Sequence, residues 1–186
     1  FRNIFYDYIC NMKSYLSSSI LQLKYYKILG EKTITRIPNN KLSFKLNDNS
    51  NSINTIVKHL NGNMLSRWTN FLNSDGEKDF RERDNEFIDD INNKEELLNL
   101  WVKGWGCLFN TLESLSETDL EKIVYIRNES HTVIESINRQ LCHYSYHIGQ
   151  IVYLGKIILE ENWESLSIPK GQSEEFNSKK FSIKKK

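Results

Sequence analysis

His143 and His147 stand four residues apart in the run Leu141-Cys142-His143-Tyr144-Ser145-Tyr146-His147. On a helix this spacing stacks both imidazoles on one face, with Cβ atoms about 5–6 Å apart, close enough for both rings to reach one cation. A third histidine, His59, lies on a separate amphipathic segment far earlier in the chain. Two imidazoles from one helix and one from another make a three-nitrogen site that leaves a coordination position open for water or substrate. Neutral imidazoles leave a divalent cation its full charge, which acidifies bound water toward neutral pH and ionises a bound thiol outright. The plainer reading is a pair of hydrogen-bonded core or surface histidines, because the spacing also recurs by chance. Two features weigh against a fully solvated face. Leu154 shares the line of the pair, and the neighbours of His59 on its side (Gly62, Asn63, Ser66 and Asn70) are small and uncharged, as in a cavity wall. His131 sits just before a helix N-cap and is expected in a loop.

Asn63 and Gln150 lie one turn beyond His59 and His147, where they can orient the rings or meet a substrate. The segment Asp75 to Phe87 is dense in charge. On composition alone it is a solvated loop. Functionally it reads as a cap over the site, with Arg81 or Arg83 clamping an anionic group and Glu77 or Glu86 serving as base. The tryptophans Trp68, Trp101, Trp105 and Trp163 read as core residues. No glycine-rich phosphate loop and no Ser-His-Asp order stands out.

Four amphipathic helices must position these residues. The first is expected from about Phe5 to Ile28, stopped by Gly30, with Ile34, Ile37, Leu42 and Phe44 anchoring the connection after it. The second starts at Asn51 or Ser52, either a good N-cap. It carries Ile53, Ile56, Val57, Leu60, Met64, Trp68 and Phe71 on one stripe, and Asn73-Ser74-Asp75-Gly76 is the turn that follows. The third covers Lys94 to Leu115; Gly104 and Gly106, poor helix formers, mark close approach of another element. The β-branched run Lys122–Arg127 followed by Asn128-Glu129 predicts a short strand or hairpin. The fourth runs from Thr132 to Glu161. The fold class is therefore all-α: a four-helix bundle with a short β-hairpin before the last helix. It makes one domain over residues 1–177, with a disordered basic tail over 178–186.

At 186 residues, 39% hydrophobic and 26% charged, the chain fits one globular domain. A net charge of +1 gives no electrostatic case for nucleic acid or an acidic membrane. No apolar run approaches the roughly 20 residues of a transmembrane helix, and no signal-peptide pattern is expected from the first residues. Cys10, Cys107 and Cys142 form no CxxC pair, which suits a reducing cytoplasm.

The stretch Ile56-Val57-Lys58-His59-Leu60-Asn61-Gly62-Asn63, then Ser66-Arg67-Trp68 and Asp75-Gly76-Glu77-Lys78, resembles the DinB/YfiT-like superfamily, and more closely one of its uncharacterised families. Asn138 to Ile151 resembles the same family's last-helix motif, as does Trp163 to Ser173. The resemblance spans roughly Ser52 to Asn177; the first helix matches only in pattern. It implies an up-down-down-up bundle, a homodimer, and a divalent metal, zinc or nickel, on a histidine triad that falls on His59, His143 and His147. Characterised members of the superfamily include thiol-dependent transferases and isomerases that use low-molecular-weight thiols, but the resemblance carries over no settled activity for this branch. From the chemistry of the site, a metal-activated thiolate or hydroxide, the expectation is a thiol-dependent transferase or hydrolase acting on a small electrophilic molecule. The alternative is a non-catalytic, metal-stabilised binding or dimerisation module.

Overall fold

The structure is a computed structural model that describes residues 15–183. The expected start of the first helix near Phe5, Cys10 and the last three lysines of the tail lie outside the described residues. Among the described residues the chain is mostly helical, with one small two-stranded antiparallel sheet.

Helix α1 spans Tyr15–Arg36. Gly30 does not stop it, contrary to the sequence expectation. A Cβ there would lie 2.5 Å from Trp101 Cη2 and 2.9 Å from Ile148 Cδ1. The residue is a contact point for two neighbouring helices, and that packing outweighs the roughly 1 kcal/mol helix cost of glycine. The helix instead ends just before Ile37-Pro38, where the proline ring disfavours helical backbone in the preceding residue. Ile34, Ile37 and Leu42 are all buried.

Helix α2 spans Ile53–Trp68, opened by the Ser52 hydroxyl, which accepts from Thr55 N at 3.2 Å. Every residue of its expected stripe, Ile53 to Phe71, is buried. Helix α3 spans Lys94–Ser114, capped by Asn93 with Glu95 and Glu96 in its first turn, where carboxylates favour the helix dipole. Gly104 makes the expected close approach, 3.0 Å from its Cβ position to Asn61 Cα, whereas Gly106 faces open space.

Strands β1 (Ile123–Ile126) and β2 (Glu129–Thr132) pair antiparallel around Arg127 and Asn128, with φ of 55° and 63°. Two consecutive left-handed residues make the turn whose twist matches a hairpin. The hairpin agrees with the sequence expectation, but His131 belongs to it, opposite Val124, and not to a loop. The turn at Asn128 folds the next four residues onto β1 before the helix can begin. Helix α4 spans Val133–Leu159 and starts with a reciprocal capping box between Thr132 and Glu135.

A last helix, α5, spans Ser173–Phe181 and crosses the expected boundary at 178. The segment expected as a disordered basic tail is thus helical through Phe181. Its acids stand in the first turn and its lysines in the last, with Lys179 paired to Glu175; both favour the helix.

Helix α1 packs along α4 and α2 along α3; α1 also meets α3, and α2 meets α4. The core between them holds Trp68, Trp101, Trp105, Tyr144 and aliphatic neighbours, all but closed to solvent. Trp163 is only half-buried, seated against Gly155. No helix among the described residues is long and apolar enough to cross a membrane.

Candidate metal centre

α2 and α4 meet where both carry histidine. His59 and His147 are buried and His143 is half-buried. His143 Nε2 lies 3.2 Å from His59 Nε2 and 3.1 Å from His147 Nε2. All three potential ligand atoms fall within 4.8 Å of one another. Tetrahedral ligation at about 2.0–2.1 Å would space neighbouring nitrogens about 3.3–3.4 Å apart, close to the two distances measured from His143 Nε2.

The other ring nitrogen of each histidine is held from outside. His59 Nδ1 lies 2.8 Å from Glu86 Oε2, His147 Nδ1 2.8 Å from Gln150 Oε1, and His143 Nδ1 3.3 Å from Gln140 Oε1. An ionised carboxylate can only accept, so His59 Nδ1 donates, which in the neutral ring leaves Nε2 a lone pair for the centre. Burial pushes His143 down to about 3, helped by the neighbouring His147 and His59. Burial likewise pushes His147 down to about 4, against the opposing effect of Gln150. Both rings are therefore neutral at physiological pH, the form that ligates. One proton on one nitrogen relieves one of these close contacts; a cation relieves them all. The three histidines could hold a metal ion.

Glu86, one of the two base candidates in the sequence, stands behind His59 as a hydrogen-bond acceptor. It is buried, and its carboxylate receives Arg81 Nε at 2.8 Å and Arg81 Nη2 at 3.1 Å as well as His59. Burial alone would raise its pKa; the hydrogen bonds from His59 and Arg81 outweigh that and hold it below the ordinary value. It is placed as an orienting group: Oε1 accepts from Arg81 Nε, and Oε2 faces both Arg81 Nη2 and His59 Nδ1. Gly62 makes room for it, since a Cβ at that position would lie 2.1 Å from Glu86 Oε1. The small, uncharged face of α2 is thus the seat of the charged loop, which covers the expected cavity wall.

Arg81 is equally committed. Its side chain is 3% exposed and lies between Glu86 and Glu77, whose nearer oxygen is 3.3 Å from Nη1. Glu77 is shared again with Arg127 at 3.2 Å. Asp75 fastens the loop to the hairpin by accepting the backbone N–H groups of Arg127 and Asn128, each at 2.8 Å. Of the remaining candidates, Gln150 orients His147 as expected. Asn63 accepts from the Tyr144 hydroxyl at 3.0 Å, which in turn accepts from Trp68 Nε1 at 2.9 Å, so it braces α2 against α4. Gln140 is not among the residues the sequence points to; its position three residues before His143 is the signal that could have found it.

Two rings border the triad. Phe87 stacks on His59, with centroids 5.3 Å apart, and the exposed Tyr146 meets His147 edge-on at 5.0 Å. Cys142, next to His143, points to solvent. A cleft of about 480 Å³ lined by Asn39, Ser43 and Asn54 contains none of the histidines; the triad meets solvent through His143 instead.

A family described as "Protein of unknown function (DUF1572)" matches residues 11–172. No curated protein and no solved structure matches the chain.

Proposed function

The chain belongs to the DUF1572 family, whose function is unknown, and from its own site we propose a divalent-metal-dependent enzyme of the DinB-like type, a thiol-dependent transferase or hydrolase acting on a small electrophilic molecule. On this reading the four long helices form an up-down-down-up bundle, and His59, His143 and His147 hold zinc or nickel. The observation that carries it is the convergence of three ring nitrogens, each ring braced from behind, with one ring open to solvent. When bound, such a cation supplies Lewis acidity, bringing the pKa of a coordinated water or thiol toward neutrality.

The chain's own residues supply the rest. Glu86 accepts from His59 Nδ1 and so orients the ring; Gln150 and Gln140 stand in the same place behind the other two rings with neutral amides. Arg81 keeps Glu86 ionised. Phe87 and Tyr146 shield the flanks of the triad from water. Half-buried His143 marks the side from which a substrate enters.

The test is a thiol-transfer screen of purified protein against small electrophiles, with and without chelator. Turnover that chelator abolishes, and that His143→Ala removes while helical circular dichroism persists, supports the proposal. A His143→Ala variant that merely melts earlier, in a protein without turnover, favours the second reading, a metal-stabilised dimerisation module. Tyr146 and Tyr153, each 62% exposed and two turns apart on α4, favour that second reading. A homodimer through that face would be seen by sedimentation equilibrium.

A further inference from the structure

The loop between α2 and α3 carries two arginines beside the triad, and only one of them is spoken for. Arg81 is buried against Glu86 and Glu77. Arg83 is exposed, and none of the ion pairs among the described residues includes it. Its neighbour Glu82 accepts instead from Asn85. The Arg83 guanidinium lies over the Phe87 ring, 5.2 Å from its centroid. That same ring stacks on His59 at 5.3 Å with 29° between planes. One aromatic side chain therefore touches both an imidazole of the triad and a solvent-facing cation. The guanidinium can be no farther than about 10.5 Å from the His59 ring.

The cation is seated by its ring contact and keeps its donors free for a planar oxyanion, which a guanidinium meets bidentately. We propose that Arg83, resting on Phe87, selects small substrates that carry an oxyanion, a carboxylate or phosphate, at the end opposite the group that reaches His59, His143 and His147. The bound of about 10.5 Å keeps the two ends of such a molecule within a small-molecule span and leaves its chain length to be found by titration. This proposal rests on the reading that the triad binds a divalent cation and adds the charge class of what is bound there. A neutral substrate would leave Arg83 without a role; an anionic one is held at both ends, which fixes its orientation and its distance from the centre.

The test uses the full chain loaded with cobalt(II), whose visible spectrum reports a thiol arriving at the triad without any turnover. Mercaptocarboxylates of increasing chain length are titrated against the matching mercapto-alcohols. The expected result is one chain length at which the carboxylate binds about fivefold tighter than its alcohol, a ratio typical of one partly exposed charge pair. The advantage shrinks with added salt. It vanishes in Arg83→Gln, with cobalt content and alcohol affinity unchanged, and survives in part in Arg83→Lys, which keeps the charge and loses the fork. Equal affinities for carboxylate and alcohol at every length overturn the proposal. So does an Arg83→Gln variant that weakens both alike, since Arg83 would then only be propping Phe87. A chain that takes up no cobalt, or whose cobalt spectrum no thiol alters, overturns the metal reading itself.

Discussion

An acceptor behind an imidazole decides which nitrogen keeps the proton, and at this centre Glu86 makes that choice for His59. Glu86→Gln keeps the shape and removes the charge. Divalent-metal affinity, measured by competition with a chelating dye, should fall about 10- to 100-fold. Gly62→Ala should do the same by a different route, because the new methyl occupies the carboxylate's space; an unchanged affinity in both variants would show that Glu86 does not tune the site. The depressed values of His143 and His147 carry a sign for the apo protein. Unfolded histidines bind protons near pH 6.5, whereas these two do so near 3 and 4. Between those limits the unfolded state holds more protons, so stability falls as the pH is lowered from 7 toward 4. Denaturant melts of the apo protein should show this slope, and His143→Gln or His147→Gln should each flatten it by up to about one proton. At this scale the pair His143 and His147 is legible in the sequence, because an i,i+4 pair on an amphipathic segment is a short-range signal. The contact of Glu86 with His59 is not: 27 residues separate the two, and only the fold shows that a glycine on α2 receives the carboxylate.

Helix ends and the hairpin position those residues. Thr132 both caps α4 and closes β2, so it sets where the helix bearing His143 and His147 begins. Thr132→Ala removes the hydroxyl from the capping box and should cost about 1 kcal/mol. That is a drop of roughly 2–4 °C in melting temperature for a domain of this size, and a scanning calorimeter resolves it. The Ser52 and Thr132 caps and the buried stripe of α2 are readable because caps and 3.6-residue periodicity are local. Gly30 and His131 mislead for a related reason. The glycine has the form of a stop signal, yet its use is a tertiary contact with Trp101 and Ile148. The histidine has the setting of a loop residue, yet a left-handed pair at Arg127 and Asn128 turns the chain back into a ladder. Charge density likewise hides the role of the Asp75–Phe87 loop, since an ion-paired cap and a solvated loop have the same composition.

Across the whole molecule the site exists only because α2 and α4 are brought side by side. Trp68, Tyr144 and Asn63 form one hydrogen-bonded bridge between those helices, and Asp75 ties the loop over α2 to the hairpin leading into α4. The pairing of amphipathic helices is foreseeable from their apolar stripes; which faces meet, and so whether His59 reaches the later pair, is not. His59 is the one triad member contributed by α2, which makes it the sharpest probe of the convergence. The decisive measurement is the metal content of wild type and His59→Ala after gel filtration, by elemental analysis, with circular dichroism confirming that both are folded. One divalent ion per wild-type chain and a loss to near zero in the variant is the predicted result; a wild type without metal, or a variant that keeps its full complement on His143 and His147 alone, would contradict it.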